Sequence, residues 1–118
     1  MPLTVLDHVN VRTARLGEMT AFYAEVLGLR PGVRPPFSFG GAWLYCDGRA
    51  AIHLVGVADE RTRDTGPLDH IAFEARDYDG ARDKLSQRGL KFKTREFPEF
   101  ELRQIFVDDP NGVTVELN

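Results

Sequence analysis

Three histidines and one glutamate in the sequence have the types and positions that metal chemistry requires. His8 and His53 fall in the first half of the chain, and His70 and Glu116 fall in the second half. Imidazole nitrogens and carboxylate oxygens are the ligands that borderline and hard divalent ions prefer. The four side chains are therefore candidate ligands for one divalent metal ion, and Glu116 and His53 are also candidates for moving a proton.

Strand geometry predicts that the four candidates share one face of a sheet. Alternate side chains of a strand point to opposite faces, and each candidate is excluded from the face of its apolar neighbours. These neighbours are Val9 and Val11, Ile52 and Leu54, Ile71 and Phe73, and Val115 and Leu117. Helices that cover the apolar face leave the polar face as a ligand cavity. A single strand histidine is more often a hydrogen-bonded structural residue, but four such positions on one face favour a metal site.

The candidate residues belong to an internal repeat. Leu6-Asp7-His8 recurs as Leu68-Asp69-His70, and the turn Asp47-Gly48 recurs as Asn111-Gly112, at offsets of 62 and 64 residues. The pair Gly28-Leu29 recurs as Gly89-Leu90. Landmarks that keep their order and spacing predict two similar structural modules.

Each half of the chain predicts a βαβββ module. In the first half, a helix with an apolar stripe from Leu16 to Leu27 is expected to end at Gly28. The strands of this half are expected near 3–12, 29–34, 42–46 and 50–57. In the second half, Asp77 is expected to begin a helix that ends near residue 88. The strands of this half are expected near 67–75, 90–96, 102–107 and 113–117. The pattern predicts an α+β fold.

Length and composition predict one compact domain. The chain has 118 residues and a formal net charge of −3, which gives no basic surface for nucleic acid or anionic membranes. The single cysteine, Cys46, excludes an internal disulfide. The first residues do not have the pattern of a signal peptide, and no apolar stretch is long enough for a membrane span. We therefore expect a cytoplasmic protein whose partner is a small molecule.

Four segments of the sequence resemble the vicinal oxygen chelate superfamily. They are Leu6–Val9, Phe22–Leu29, Leu68–Ile71 and, most specifically, Phe106–Leu117. The superfamily includes glyoxalase I, fosfomycin resistance proteins, extradiol dioxygenases, methylmalonyl-CoA epimerase and bleomycin resistance proteins. The resemblance implies one glyoxalase-like domain over residues 1–118, with module one at about 1–57, a linker at 58–66 and module two at about 67–118.

The resemblance also implies an arrangement of the modules and the ligands. The two modules form a curved mixed sheet with the helices on its outer face, and the metal ligands are His8, His53, His70 and Glu116. Glyoxalases of this kind often have a glutamate at the position of His53, so the histidine is a departure. His8, His70 and Glu116 alone match the two-histidine, one-carboxylate sites of the dioxygenases and fosfomycin enzymes. His53 is then a fourth ligand or a base. Bleomycin-binding members lack the metal set.

The expected function is that of a small metal-dependent enzyme. A divalent ion (Fe, Mn, Ni, Co or Zn) with open positions acts as a Lewis acid on a substrate that chelates it through adjacent oxygens. A glyoxalase-like lyase or isomerase is the first interpretation, and an extradiol-type dioxygenase is the second. A protein that sequesters a small molecule and a metal that only joins the two halves are the non-enzymatic alternatives. Open sheet edges in a small chain also favour a homodimer.

Five further residues are weaker candidates for contact with the substrate. Trp43 and Tyr45 line the cavity only if the hairpin loop has the right length, and otherwise they are core or surface aromatics. Arg103 is a candidate for binding an anionic group, although a solvated charge is the simpler interpretation. Phe37 and Phe39 lie in a loop rich in proline and glycine, where they form either a lid over the site or an anchor for the loop.

Overall fold

The computed structural model describes residues 5–58, 65 and 67–118. The chain divides into two compact units, unit 1 (Met1–Arg61) and unit 2 (Thr62–Asn118). The linker predicted at 58–66 lies largely outside the described residues. Residues 3 and 4 of the strand predicted at 3–12 also lie outside them, whereas residues 5–8 are described and precede the strand, which begins at Val9. Within the part of the chain that is described, no helix is both long and apolar enough to cross a membrane.

Unit 1 has the element order βαβββ. Its elements are β1 (Val9–Thr13), α1 (Leu16–Ala21) with a π-helical continuation (Phe22–Val26), β2 (Arg30–Gly32), β3 (Gly41–Cys46) and β4 (Arg49–Gly56). The strands form one sheet in the order β1-β4-β3-β2. The β1–β4 pair is parallel, and the other two pairs are antiparallel. Residues with positive φ set two of these boundaries, the end of the helix and the turn between β3 and β4.

Glycines end the helix and turn the hairpin of unit 1. Gly28 has a φ of 79°, a left-handed conformation that glycine adopts at low cost. The Leu29 N–H then donates to the Tyr23 carbonyl at 2.9 Å, which closes the end of the helix. Asp47 and Gly48 have φ values of 51° and 79°, as a two-residue β3–β4 hairpin turn requires. The sequence prediction for the helix end is therefore confirmed.

Unit 2 repeats the same order. Its elements are β5 (His70–Phe73), α2 (Tyr78–Gln87), β6 (Phe92–Phe97), a 3-10 turn (Pro98–Phe100), β7 (Leu102–Asp108) and β8 (Thr114–Leu117). The sheet order is β5-β8-β7-β6, with β5 parallel to β8. The Asp77 carboxylate accepts from the Gly80 N–H at 3.1 Å and caps α2 as predicted. The α+β fold class with two βαβββ modules is confirmed.

Each sheet has an apolar face that forms the core of its own unit. In unit 1 the core residues are Met19, Phe22, Tyr23, Leu29, Leu44, Ile52 and Leu54, and in unit 2 they are Leu85, Ile105, Val107, Val113 and Val115. Helix α1 packs on β3 and β4. The alternation of each strand then leaves the opposite face for polar side chains, which is where the candidate ligands lie.

Strand β5 is shorter than predicted because its partner strand is short. Strand β5 covers four residues rather than the nine expected at 67–75. Its register explains the difference, because His70 pairs with Thr114 and Phe73 pairs with Leu117, the first and last residues of β8. A strand is hydrogen-bonded only along the length of its neighbour. The length of the neighbouring strand cannot be read from the sequence pattern of β5 itself.

Candidate metal centre

The best-defined part of the site is a histidine–glutamate pair in unit 2. His70 lies opposite Thr114, and Ala72 lies opposite Glu116, so both candidate ligands are on the same face of the sheet. The His70 Nε2 atom is 3.2 Å from Glu116 Oε1. Glu116 is only 7% exposed although it carries a carboxylate. The amide of Gln104 on β7 donates to the other carboxylate oxygen, Oε2, at 3.1 Å.

An aspartate precedes the histidine in each unit and contacts its ring. Asp69 Oδ2 lies 2.7 Å from Nδ1 of His70, and Asp7 Oδ2 lies 2.7 Å from Nδ1 of His8. A carboxylate accepts, so Nδ1 is the protonated nitrogen and Nε2 of a neutral ring has a free lone pair. The hydrogen bond from His8 holds the pKa of Asp7 below its usual value. This is the arrangement by which outer carboxylates orient histidine ligands.

The unit 2 pair passes a test of fit for a divalent ion. In the tautomer with a proton on Nδ1 alone, the Nε2 lone pair of His70 faces a carboxylate oxygen at 3.2 Å. Two acceptors at this distance repel each other unless a proton or a cation lies between them. Adjacent ligands about 2.1 Å from one ion at right angles are about 3 Å apart. The donor atoms of His70 and Glu116 therefore suit neighbouring positions on one ion.

The unit 1 pair is arranged differently. His53 lies opposite both Asn10 and Trp43, and its ring is stacked between two others. The His8 ring is 3.9 Å away at 7°, and the Trp43 ring is 4.0 Å away at 11°. Burial lowers the pKa of His53, and the neighbouring His8 lowers it further, which favours the neutral ring. Its face is the one predicted from strand alternation.

The stack limits what His8 and His53 can do together. A ring nitrogen binds a metal in the plane of its ring, and two planes only 7° apart do not converge on one ion. His8 has the aspartate contact that His70 also has, whereas His53 is held between His8 and Trp43. The geometry of unit 1 therefore favours His8 over His53 as a ligand, and leaves His53 suited to accept a proton.

The predicted ligands occur in the structure as two pairs, His8 with His53 and His70 with Glu116. Among residues 5–58, 65 and 67–118, no three histidine, cysteine, aspartate or glutamate side chains are grouped closely enough to hold a metal ion. The assignment of all four residues to one ion therefore stays a prediction. What the structure provides is the geometry of each pair within its own unit.

A cavity of about 860 Å³ opens beside the unit 2 pair. Its lining includes His70, Glu116, Gln104, Phe106, Lys93 and Arg95. The Phe106 ring meets the His70 ring edge to face, with 6.5 Å between the ring centroids. Cavities of this size bind small molecules in many proteins. His70 and Glu116 therefore lie in the wall of a space that a small substrate can enter.

The aromatic candidates of unit 1 form a row of rings. Phe37 and Phe39 stack with 5.0 Å between centroids, and Phe37 lies 6.4 Å from Trp43. The two phenylalanines are 43% and 45% exposed. The guanidinium of Arg34 lies 5.0 Å from the Phe37 ring centroid and donates to the Phe39 carbonyl, which fixes the loop. The row continues through Trp43 to His53.

Tyr45 has a structural contact. Its hydroxyl donates to the Val33 carbonyl at 2.5 Å, and its ring lies against Gly32 of β2. The register shifts between Leu44 and Tyr45, an irregularity of the kind that changes which face a side chain takes. Sequence alone therefore left the facing of Tyr45 open. In unit 1, Tyr45 anchors the edge strand and the loop that follows it.

Arg103 lies on the other face of its sheet from Glu116. Its neighbour Gln104 bonds Glu116, so alternation places Arg103 on the side of helix α2. There its guanidinium lies 4.2 Å from the Tyr78 ring centroid and 3.9 Å from Asp79. Arg103 is therefore not part of the wall of the unit 2 cavity. The cations in that cavity include Lys93 and Arg95, which the sequence analysis missed despite their alternate spacing on β6.

The family of the chain follows from these features and from sequence comparison. The chain belongs to the Glyoxalase/Bleomycin resistance protein/Dioxygenase superfamily, whose model matches residues 5–117. The resemblance to vicinal oxygen chelate proteins is thereby confirmed. No functionally curated protein matches the sequence significantly.

Solved structures with different functions share this fold. A lactoylglutathione lyase from Agrobacterium tumefaciens is 18% identical, with a TM-score of 0.72 over 99% of this chain and 94% of that one. The fosfomycin resistance protein FosX from Listeria monocytogenes is 19% identical, with a TM-score of 0.77 over 98% and 93%. TnmS3, an antibiotic binding protein from Streptomyces sp. CB03234, is 23% identical, with a TM-score of 0.74 over 100% and 97%. At these identities the likeness shows the fold alone.

Proposed function

We propose that this protein is a divalent-metal-dependent enzyme with lyase or isomerase chemistry of the glyoxalase type. The observation that supports this most is the His70–Glu116 pair, whose facing donor atoms are 3.2 Å apart. Asp69 contacts the ring of His70, and Gln104 donates a hydrogen bond to Glu116. A buried carboxylate is stable when it is paired and hydrogen-bonded, and a divalent ion between Glu116 and His70 would add to the hydrogen bond that Gln104 donates. A structural role alone does not require the cavity.

The proposed metal ligands are His70 and Glu116 from unit 2 and His8 from unit 1. His8 fits this role because its Nδ1 contacts Asp7 as that of His70 contacts Asp69. We propose that His8 comes either from the same chain or from a second copy in a homodimer. Three protein ligands leave positions for an adjacent pair of substrate oxygens. The ion would supply Lewis-acid stabilisation of negative charge that develops on those oxygens.

The chain itself supplies the proton-transfer groups. Burial lowers the pKa of His53 and so favours the neutral ring, the form that can accept a proton from a carbon next to a carbonyl. Glu116 is the alternative base, with Gln104 fixing its second oxygen. Trp43 stacks on His53 and holds the ring in place. We propose His53 as the first base, because Glu116 is needed as a ligand.

A second candidate function is the sequestering of a planar small molecule. The row of rings formed by Phe39, Phe37, Trp43 and His53 favours it, because flat aromatic groups stack on such surfaces. The antibiotic binding protein TnmS3 shares the fold. This function requires no metal, so metal dependence separates the two candidates. The stacked rings of His8, His53 and Trp43 would also suit an enzyme whose substrate carries an aromatic ring.

Deuterium exchange tests the proposed chemistry directly. Protein loaded with Mn, Co, Ni, Zn or anaerobic Fe(II) is incubated in D₂O with a panel of α-hydroxycarbonyl compounds, and proton NMR follows loss of the α-proton signal. We expect exchange that depends on the metal, is reduced by at least about tenfold in His53→Gln and is unchanged in Asp108→Asn. Oxygen uptake with catechol that needs Fe(II) would instead indicate a dioxygenase. Tight binding of flat aromatics without exchange would indicate sequestering.

A further inference from the structure

We propose that Lys93 and Arg95 form an anion subsite in the unit 2 cavity, so that the substrate carries a carboxylate, phosphate or phosphonate group. This inference rests on the proposed function in naming the substrate of that site. The subsite itself is a property of unit 2 that can be measured without metal or turnover. The only sequence feature that points to it is the alternate spacing of the two cations on β6, and it replaces Arg103 as the anion-binding candidate.

Strand register places both cations on the same face as the metal pair. Lys93 pairs with Phe106, and Phe106 pairs with Glu116 on the next strand. Arg95 pairs with Gln104, whose amide bonds Glu116. Paired residues in neighbouring strands share a face. Lys93 and Arg95 are two residues apart, which separates their Cα atoms by about 7 Å along β6.

The charges of the cavity are arranged so that the cations are left for a ligand. Within the described part of the chain, the contacts of the three acidic side chains in the lining are with histidine, glutamine or threonine rather than with Lys93 or Arg95. Asp108 accepts from the Thr114 hydroxyl at 2.8 Å, and Asp69 and Glu116 both contact His70. Among the described residues, neither Lys93 nor Arg95 has a carboxylate partner. An anion can therefore bind these cations without breaking an ion pair within the unit.

Phe106 connects the cationic end of the cavity with the metal pair. The Arg95 guanidinium carbon lies 5.4 Å from the Phe106 ring centroid, a cation–π contact. The same ring also meets the His70 ring edge to face, at 6.5 Å between centroids. A substrate of a few carbon atoms lying on Phe106 would place its anionic group at Arg95 and its chelating oxygens at His70. The fork of the guanidinium favours an oxyanion that accepts two parallel hydrogen bonds.

Protection of a sheet edge is the competing explanation for these cations. Strand β6 is an edge strand of its sheet, and charged residues on edges prevent pairing with other chains. That role needs only charge and does not require the cations to line a cavity. Arg95 instead lies over Phe106 in the cavity wall. The two explanations predict different effects of removing the charges.

Titration of the metal-free protein with phenylphosphonate tests the subsite. The protein is treated with EDTA, dialysed, and titrated while amide shifts are followed by NMR; benzyl alcohol is the neutral probe. The variants are Lys93→Gln, the double variant Lys93→Gln/Arg95→Gln, and the control Lys84→Gln on α2. We expect phenylphosphonate to bind at least about tenfold more weakly to the double variant and unchanged to the control. Binding to wild type should weaken as salt is raised.

Three results would overturn the subsite. They are absence of phenylphosphonate binding to wild type, equal affinity in the double variant, and equal affinity for benzyl alcohol. Self-association of the double variant without a change in anion affinity would assign the cations to edge protection. Lys93→Gln alone keeps Arg95 over Phe106. If the double variant does not fold, the affinity of this single variant for phenylphosphonate still tests the subsite. Metal uptake is measured separately on the same proteins. A protein that binds phenylphosphonate but no metal would contradict the metal site and support the anion subsite, and a protein that binds metal but no phenylphosphonate would do the reverse.

Discussion

Replacing Asp109 by asparagine should destabilise the turn that leads into β8 and so loosen the strand that carries Glu116. Asp109 is only 3% exposed. Its Oδ1 accepts from the backbone N–H of Asn111 at 2.8 Å and of Val113 at 2.9 Å. Thr114 begins β8 immediately afterwards. The carboxylate therefore holds two backbone donors that fix the start of the strand.

The magnitude follows from those two hydrogen bonds. Each bond to a charged acceptor contributes about 1.5–3 kcal/mol, and a neutral acceptor contributes about 1 kcal/mol. Asp109→Asn keeps an amide oxygen but loses the charge, so we expect a loss of about 2–3 kcal/mol in the free energy of unfolding. Asp109→Ala leaves the Val113 N–H without its acceptor in a buried site, and we expect a loss of about 4 kcal/mol.

Urea unfolding followed by far-UV circular dichroism measures these changes. The matched control is Asp108→Asn, which alters an exposed carboxylate that accepts from the Thr114 hydroxyl and should cost less than about 1 kcal/mol. The reasoning is refuted if Asp109→Asn and Asp108→Asn lower the free energy of unfolding equally. It is also refuted if Asp109→Ala costs less than about 1 kcal/mol.

Two further predictions concern unit 1. Gly41→Ala adds a Cβ that overlaps the Leu54 carbonyl oxygen, so the free energy of unfolding should fall by about 1–3 kcal/mol. Gly17→Ala is the control, because a Cβ at Gly17 meets nothing within 4 Å, and it should change the free energy of unfolding by less than about 1 kcal/mol. Equal effects of the two substitutions would contradict the packing argument. His53 has a lowered pKa in the folded state, so the unfolded chain takes up its proton first as pH falls below about 6.5. Stability should therefore decrease with acid in that range, and less steeply in His53→Gln; parallel pH curves in urea unfolding would refute this.

Much of the fold was predictable because it depends on local patterns. The glycines at 28 and 89 end helices, and alternation within each strand decides which residues face the core. The same alternation could have excluded Arg103, since Ile105 is buried and Gln104 bonds Glu116 on the opposite face. The solvated-charge interpretation of Arg103 agrees with the period of its strand. Applied to β6, that period indicates Lys93 and Arg95.

The geometry of the candidate site was less predictable because it depends on contacts between strands. Sequence placed His8 and His53 on one face, but the parallel stack with Trp43 arises from register between three strands. The contact of Asp69 with the His70 ring depends on rotamers that no sequence period specifies. The bulge before Tyr45 is likewise invisible in the pattern. These details decide which histidines can bind a metal and which can move a proton.

Equilibrium dialysis against Mn, Co, Ni and Zn, with metal counted per chain, tests the central claim most directly. We expect wild type to hold about one ion per chain, and His70→Gln and Glu116→Gln each to bind at least about tenfold more weakly. Asp108→Asn, an exposed carboxylate in the same cavity, should bind as wild type does. Binding of no ion by wild type, or equal binding by Glu116→Gln and wild type, would contradict the proposed metal site.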